Sequence, residues 1–95
     1  MSAPLLGEVM EAREQIGDPD TPVAALLALR ARARAAVAAC ERDLASAFAE
    51  GALARAREVT VALQYYSKID DEAGVRLEAT PAAAGDADGG GASLR

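Results

Sequence analysis

Three groups of residues carry side chains able to do chemistry. Arg30, Arg32 and Arg34 could hold an anion, Cys40 could act as a nucleophile, and Asp70, Asp71 and Glu72 could ligate a divalent cation. Each has a plainer explanation. Alternate residues of a helix point to different sides, so the three arginines read as a solvated helix surface. Cys40 falls on an apolar stripe, where a thiol is a small inert core residue. The three acids are consecutive and lack the glycine and terminal glutamate of a calcium loop, so a solvated helix end accounts for them. No carboxyl pair carries a recognisable signal of a raised pKa for acid–base work. The chain has no histidine and one cysteine. That excludes His-based triads, His-containing zinc sites, cysteine clusters and an intrachain disulfide. The expectation is a protein that is not an enzyme and needs no cofactor or metal.

The elements that must position any other site are helical. Ninety-five residues make one small domain at most. The apolar fraction is 52%, but about half of it is alanine, which leaves a thin core and makes support from a partner plausible. The net charge of −5 argues against nucleic acid, whose phosphates demand a basic surface. The longest apolar stretch, Val23 to Leu29, falls far short of the ~18–20 residues that span a membrane. Met1-Ser2-Ala3-Pro4 carries no basic or arginine-rich leader pattern.

Strong helix formers dominate up to residue 79. Gly17-Asp18-Pro19-Asp20-Thr21-Pro22 supplies a helix stop and a new start. Gly51 interrupts the pattern again, and Gly74 weakens it. The punctuation predicts helices near 3–16, 22–50 and 52–73, the last fraying on towards Glu78. Residues 1–79 form the domain, and the low-complexity tail at 80–95 is expected to be disordered. At about 100° per residue, each helix carries one apolar stripe. These are Leu5, Val9, Ala12 and Ile16; then Leu26, Leu29, Ala33, Val37, Cys40, Leu44 and Phe48; then Ala56, Val59, Leu63, Tyr66, Ile69 and Ala73. Three stripes on helices joined by short connections predict an all-α fold, an antiparallel three-helix bundle.

The residues that the stripes leave over are the informative ones. Leu6 and Met10 lie about 100° or more from the centre of the first stripe and form a row with Glu14, flanked by Glu8 and Glu11. On the third helix Tyr65 sits at the edge of the core arc, with Val61 four residues earlier. A small apolar strip ringed by carboxylates suits a partner offering apolar and basic side chains. The other reading is that Leu6 and Met10 widen the buried face and that Tyr65 is an ordinary half-buried tyrosine.

The same residues carry a resemblance. Leu5-Leu6-Gly7-Glu8-Val9-Met10-Glu11-Ala12-Arg13-Glu14-Gln15-Ile16 resembles the opening of the C-terminal domain of the HscB family of iron–sulfur co-chaperones. Ala47 to Glu58 resembles that domain's helix–turn–helix junction. Leu63-Gln64-Tyr65-Tyr66-Ser67-Lys68-Ile69 resembles its Leu-Arg-(Phe/Tyr)-x-x-x-(Leu/Ile) signature, in a form closer to the mitochondrial branch. The three motifs occur in order over roughly residues 4–78. The resemblance implies a domain that holds the IscU-type iron–sulfur scaffold. In that family the scaffold docks on the positions of Leu6, Gly7, Met10, Glu11, Glu14 and Tyr65, and the compartment implied is the mitochondrial matrix, with the cytoplasm as alternative.

Two departures bear on function. Gly7 stands where the family usually has methionine, which removes one anchor and weakens the helix by about 1 kcal/mol. A chain without histidine also lacks the His-Pro-Asp motif of the J domain, so it is expected to hold cargo without triggering ATP hydrolysis. An HscA-type heat-shock ATPase becomes a partner only if a J domain lies upstream. Two other classes compete with this reading. One is a structural helical module that self-associates through the same strip. The other is an all-helical chorismate mutase, which needs inward-facing arginines and lysines; here the single lysine is Lys68 and the arginines flank the stripes.

Overall fold

The computed structural model describes residues 3–79, and it is all-α: three helices packed together, with no strand among the described residues. The helices are α1 (Ala3–Gly17), α2 (Val23–Glu50) and α3 (Leu53–Glu78). α2 and α3 pack along each other as a long hairpin, whereas α1 is about half their length, rests mainly on α3 and touches α2 little. The tail predicted at 80–95 lies outside the described residues. No helix among the described residues is long and apolar enough to cross a membrane.

Both connections are short and locally determined. Pro22 precedes α2 with φ −65° and ψ 151°, an extended backbone that its ring favours. Its carbonyl accepts the first helical N–H groups, from Ala25 and Leu26, at 3.0 and 3.1 Å. α2 ends in a Schellman motif: Gly51 N–H donates to Phe48 O at 3.1 Å and Ala52 N–H to Ala47 O at 2.8 Å. Gly51 takes φ 72° there, a left-handed conformation that glycine adopts without a Cβ clash. The chain then reverses directly into α3.

The core follows the predicted stripes, with differences at the ends. Leu26, Leu29, Ala33, Cys40 and Ala47 of α2 are buried against Ala56, Ile69, Ala73 and Leu77 of α3, and Val9 and Ala12 are the buried residues of α1. Alanines along this seam let the helix axes approach closely. Phe48, assigned to the α2 stripe, is instead 61% exposed, and Ala47 takes the inward position. The stripe drifts because seven residues at 3.6 per turn fall short of two full turns, so an inward row rotates outward over a long helix. α3 also runs past Ala73 to Glu78, and the extra turn buries Leu77. Gly74 does not end it. An added Cβ would meet the Arg30 guanidinium at 3.2 Å, so glycine there gives Arg30 room to lie across α3.

Parts of the charged clusters form interhelical ties, while Arg32 and Asp71 are exposed as a solvated surface predicts. Arg30 Nε donates to Asp70 Oδ1 at 2.8 Å, and Arg34 Nε donates to Oδ1 and Oδ2 of the same carboxylate at 3.1 and 3.3 Å. Arg30 and Arg34 are four residues apart and share a face; comparing alternate positions obscured that pairing. Arg13 of α1 reaches Glu72 of α3 at 3.5 Å. Burial pushes the Asp70 carboxyl up, but the hydrogen bonds and charges of Arg30 and Arg34 outweigh it and hold the group below its ordinary range.

Candidate functional site

Leu6 and Met10 are the largest apolar side chains that α1 leaves uncovered, at 48% and 60% exposed. Their places on the helix explain this. The inward side of α1 is set by Val9 and Ala12, and Leu5 and Ile16 pack partly against the same core cluster. Leu6 and Met10 lie on the flank that also carries Arg13, seven and three residues on respectively. Arg13 pairs with Glu72, so this flank of α1 faces the side of α3 on which Glu72 lies. Val61, 37% exposed, and Tyr65 precede Glu72 by eleven and seven residues, which places them along that same side of α3. The strip is therefore composite, with half on each helix.

Tyr65 differs from the two α1 residues. It is half-buried and packs against the cluster of Val9, Ala12, Leu29, Ala33 and Ile69. The neighbouring Tyr66 turns the other way, and its hydroxyl donates to Glu8 Oε1 at 2.7 Å. That bond, with burial and the carboxylate's charge, pushes the Tyr66 phenol up to about 12.

The carboxylates do not form one ring. Glu8 is engaged by Tyr66, and Glu11 lines an open groove of about 500 Å³ on the opposite flank of α1, facing Arg32 and Ala36 of α2. Glu14, on the row of Leu6 and Met10, is exposed. The structure thus puts Leu6, Met10 and Glu14 together and sets Glu11 on the far side. Gly7 is exposed on the outer face, and a Cβ there would meet nothing within 4 Å. Arginine spacing could have signalled one feature that the sequence reading missed: Arg13, placed to reach α3, fixes which flank of α1 the strip occupies.

The remaining reactive group is quiet. Cys40 is a buried free thiol, and burial, with Asp43 nearby, pushes it up, away from the thiolate that nucleophilic chemistry needs. Among the described residues no group of three or more His, Cys, Asp or Glu side chains could hold a metal ion.

A short helix resting on a long hairpin, with apolar side chains turned to solvent on both, has the build of a protein-binding module. The family comparison makes this specific. The chain matches the model of the HSCB C-terminal oligomerisation domain over residues 1–74 and belongs to that family. It is a non-catalytic co-chaperone module, with a role in the iron–sulfur co-chaperone system. No curated protein and no solved structure matched the chain.

Proposed function

We propose that this domain holds an IscU-type iron–sulfur scaffold on the strip formed by Leu6, Met10, Val61 and Tyr65, with Glu14 at its rim and Gly7 beside it. The observation that carries the reading is the exposure of Leu6 and Met10 on a helix whose other large apolar residues pack inward. Apolar side chains held in water favour a partner that covers them, at ~25 cal/mol per Å² of area removed. Glu14 on the strip, and Glu11 at the groove, favour a partner with a basic edge and speed encounter more than they tighten it. The resemblance of Leu63 to Ile69 to the mitochondrial branch supports the matrix as the compartment, with the cytoplasm as alternative. An HscA-type ATPase becomes a partner only if a J domain lies upstream of this one.

The test is calorimetric titration of the chain with an IscU-type scaffold. Leu6→Ala/Met10→Ala is the informative variant, since Tyr65 also packs on the core. Binding is expected to weaken by more than about tenfold, as for truncated interface anchors, with an unchanged helical circular dichroism signal. No binding by the wild-type chain at ~100 μM, a free energy near −5.5 kcal/mol, rules the reading out. Self-association through the same strip is the second reading, favoured by the same exposure. A stable dimer in sedimentation that ignores the scaffold would establish it instead.

A further inference from the structure

The strip depends on how α1 lies against α3, because each helix carries half of it. Of the apolar residues of α1 only Val9 and Ala12, two small side chains, are fully buried, with Leu5 and Ile16 half-buried against the same cluster, so polar contacts share in fixing that relation. The end of α1 shows what else holds it. A helix leaves its last four carbonyls without intrahelical partners, and its C-terminal end carries partial negative charge. α1 has no basic residue in its last turn. Glu14 O accepts from Asp18 N–H at 3.0 Å, and Gln15 O accepts from the Thr21 hydroxyl at 2.7 Å. Ile16 O is reached from another helix. Arg76 of α3 donates to it through Nε at 3.2 Å, while Nη2 donates to Asp18 O and Pro19 O at 3.2 and 3.3 Å.

We propose that Arg76 is a positioning residue for the scaffold strip. One guanidinium supplies both the cation that the end of α1 lacks and a fork of donors spanning the last turn and the connection beyond it. A planar fork fixes orientation as well as distance, so it restrains α1 from lifting or rolling on α3. Leu6 and Met10 are thereby kept in register with Val61 and Tyr65. Arg76 lies past the matched residues 1–74 and outside the strip itself. This inference rests on the scaffold-binding reading.

The experiment compares the full chain with Arg76→Ala and Arg76→Lys, by amide hydrogen exchange and by scaffold titration. In Arg76→Ala the α1 amides are expected to lose about tenfold in protection, the change that ~1.4 kcal/mol produces, while α2 and α3 keep theirs. Scaffold affinity falls by a similar factor. Arg76→Lys keeps the charge but not the fork, and recovers part of both losses. Unchanged protection of α1 overturns the proposal, as does faster exchange in all three helices alike, the mark of a residue that merely supports the fold. Loosening of α1 with full affinity overturns it too. Should the wild-type chain bind no scaffold, the proposed function falls on its own, and α1 exchange still decides whether Arg76 holds the helix.

Discussion

The α2–α3 hairpin and α1 are built on different principles. The hairpin closes a continuous seam from Leu26 and Leu77 at one end to Ala47 and Ala56 at the other, and Arg30, Arg34 and Asp70 bridge it. α1 adds two buried side chains, with Leu5 and Ile16 half-buried, and polar ties to α3: Glu8 to Tyr66, Arg13 to Glu72, and the Ile16 carbonyl to Arg76. Most of the buried core sits in the hairpin, and α1 carries the exposed Leu6 and Met10 of the proposed strip. A segment that must meet a partner gains from being the one least committed to the core. The strongest way to break this contrast is to damage each side. Among the described residues Leu26 is the one large side chain with no residual exposure, and Leu26→Ala is expected to lose ~2–5 kcal/mol of unfolding free energy. Val9→Ala, on α1, removes two methyl groups and is expected to lose ~1–2 kcal/mol. Urea denaturation followed by circular dichroism measures both. Equal losses would mean that α1 is as integral to the core as the hairpin.

Acid and alkali separate the two regions more gently, because each has its own titrating tie. Asp70 is held below its ordinary range in the fold, so its contribution is present above a pH of ~3.9, the unfolded value, and is lost as pH falls through the folded one. Tyr66 moves the opposite way. Its folded value of about 12 lies above the ordinary ~10, so its contribution is complete below pH ~10 and fades as pH rises towards 12. Both ties are partly solvated, and each is expected to contribute no more than ~1 kcal/mol. Acid therefore weakens the Arg30–Arg34–Asp70 tie of the hairpin, and alkali weakens the Tyr66–Glu8 tie of α1. Amide resonances of the two regions, followed by NMR across pH 2–5 and through Tyr66→Phe against wild type near neutral pH, check the assignment. Tyr66→Phe should perturb α1 and leave the Arg30–Asp70 contacts unchanged.

How much of this was legible in the sequence follows the same division. The three helices, their turns at Gly17–Pro22 and Gly51, and the inward rows of α2 and α3 were readable, because they depend on local signals and a regular period. Phe48 was misassigned because a row extrapolated over six turns accumulates rotational error. The Arg30–Asp70 and Arg76–Ile16 ties were not readable, since they join residues 40 and 60 positions apart and periodicity is blind to pairing between helices. In the candidate site, departure from the stripe singled out Leu6 and Met10 but left open whether they widen the buried face, and their exposure decides it. The separation of Glu11 from them was not. On a helix, flanking in sequence includes both sides of the axis, and only the docking of α1 on α3 selects one.

Gly7 offers the smallest change and the sharpest probe of how far the strip extends. It lies in the interior of α1, where glycine is disfavoured, and nothing stands within 4 Å of its missing Cβ. Gly7→Met therefore introduces no clash, and is expected to stabilise α1 by ~0.5–0.8 kcal/mol through helix propensity alone. Its side chain would lie one turn before Met10 and seven residues before Glu14, on the outer border of the strip. If the scaffold covers that border, affinity rises severalfold, since a newly buried thioether chain adds a kilocalorie or so, ~1–2 kcal/mol gross, less the entropy of ordering it. Firmer α1 protection in hydrogen exchange with unchanged affinity would instead place the edge of the docking surface at Leu6 and Met10. Either result separates what glycine does to the helix from what it withholds from the partner, because propensity acts on the free chain and an anchor acts only in the complex.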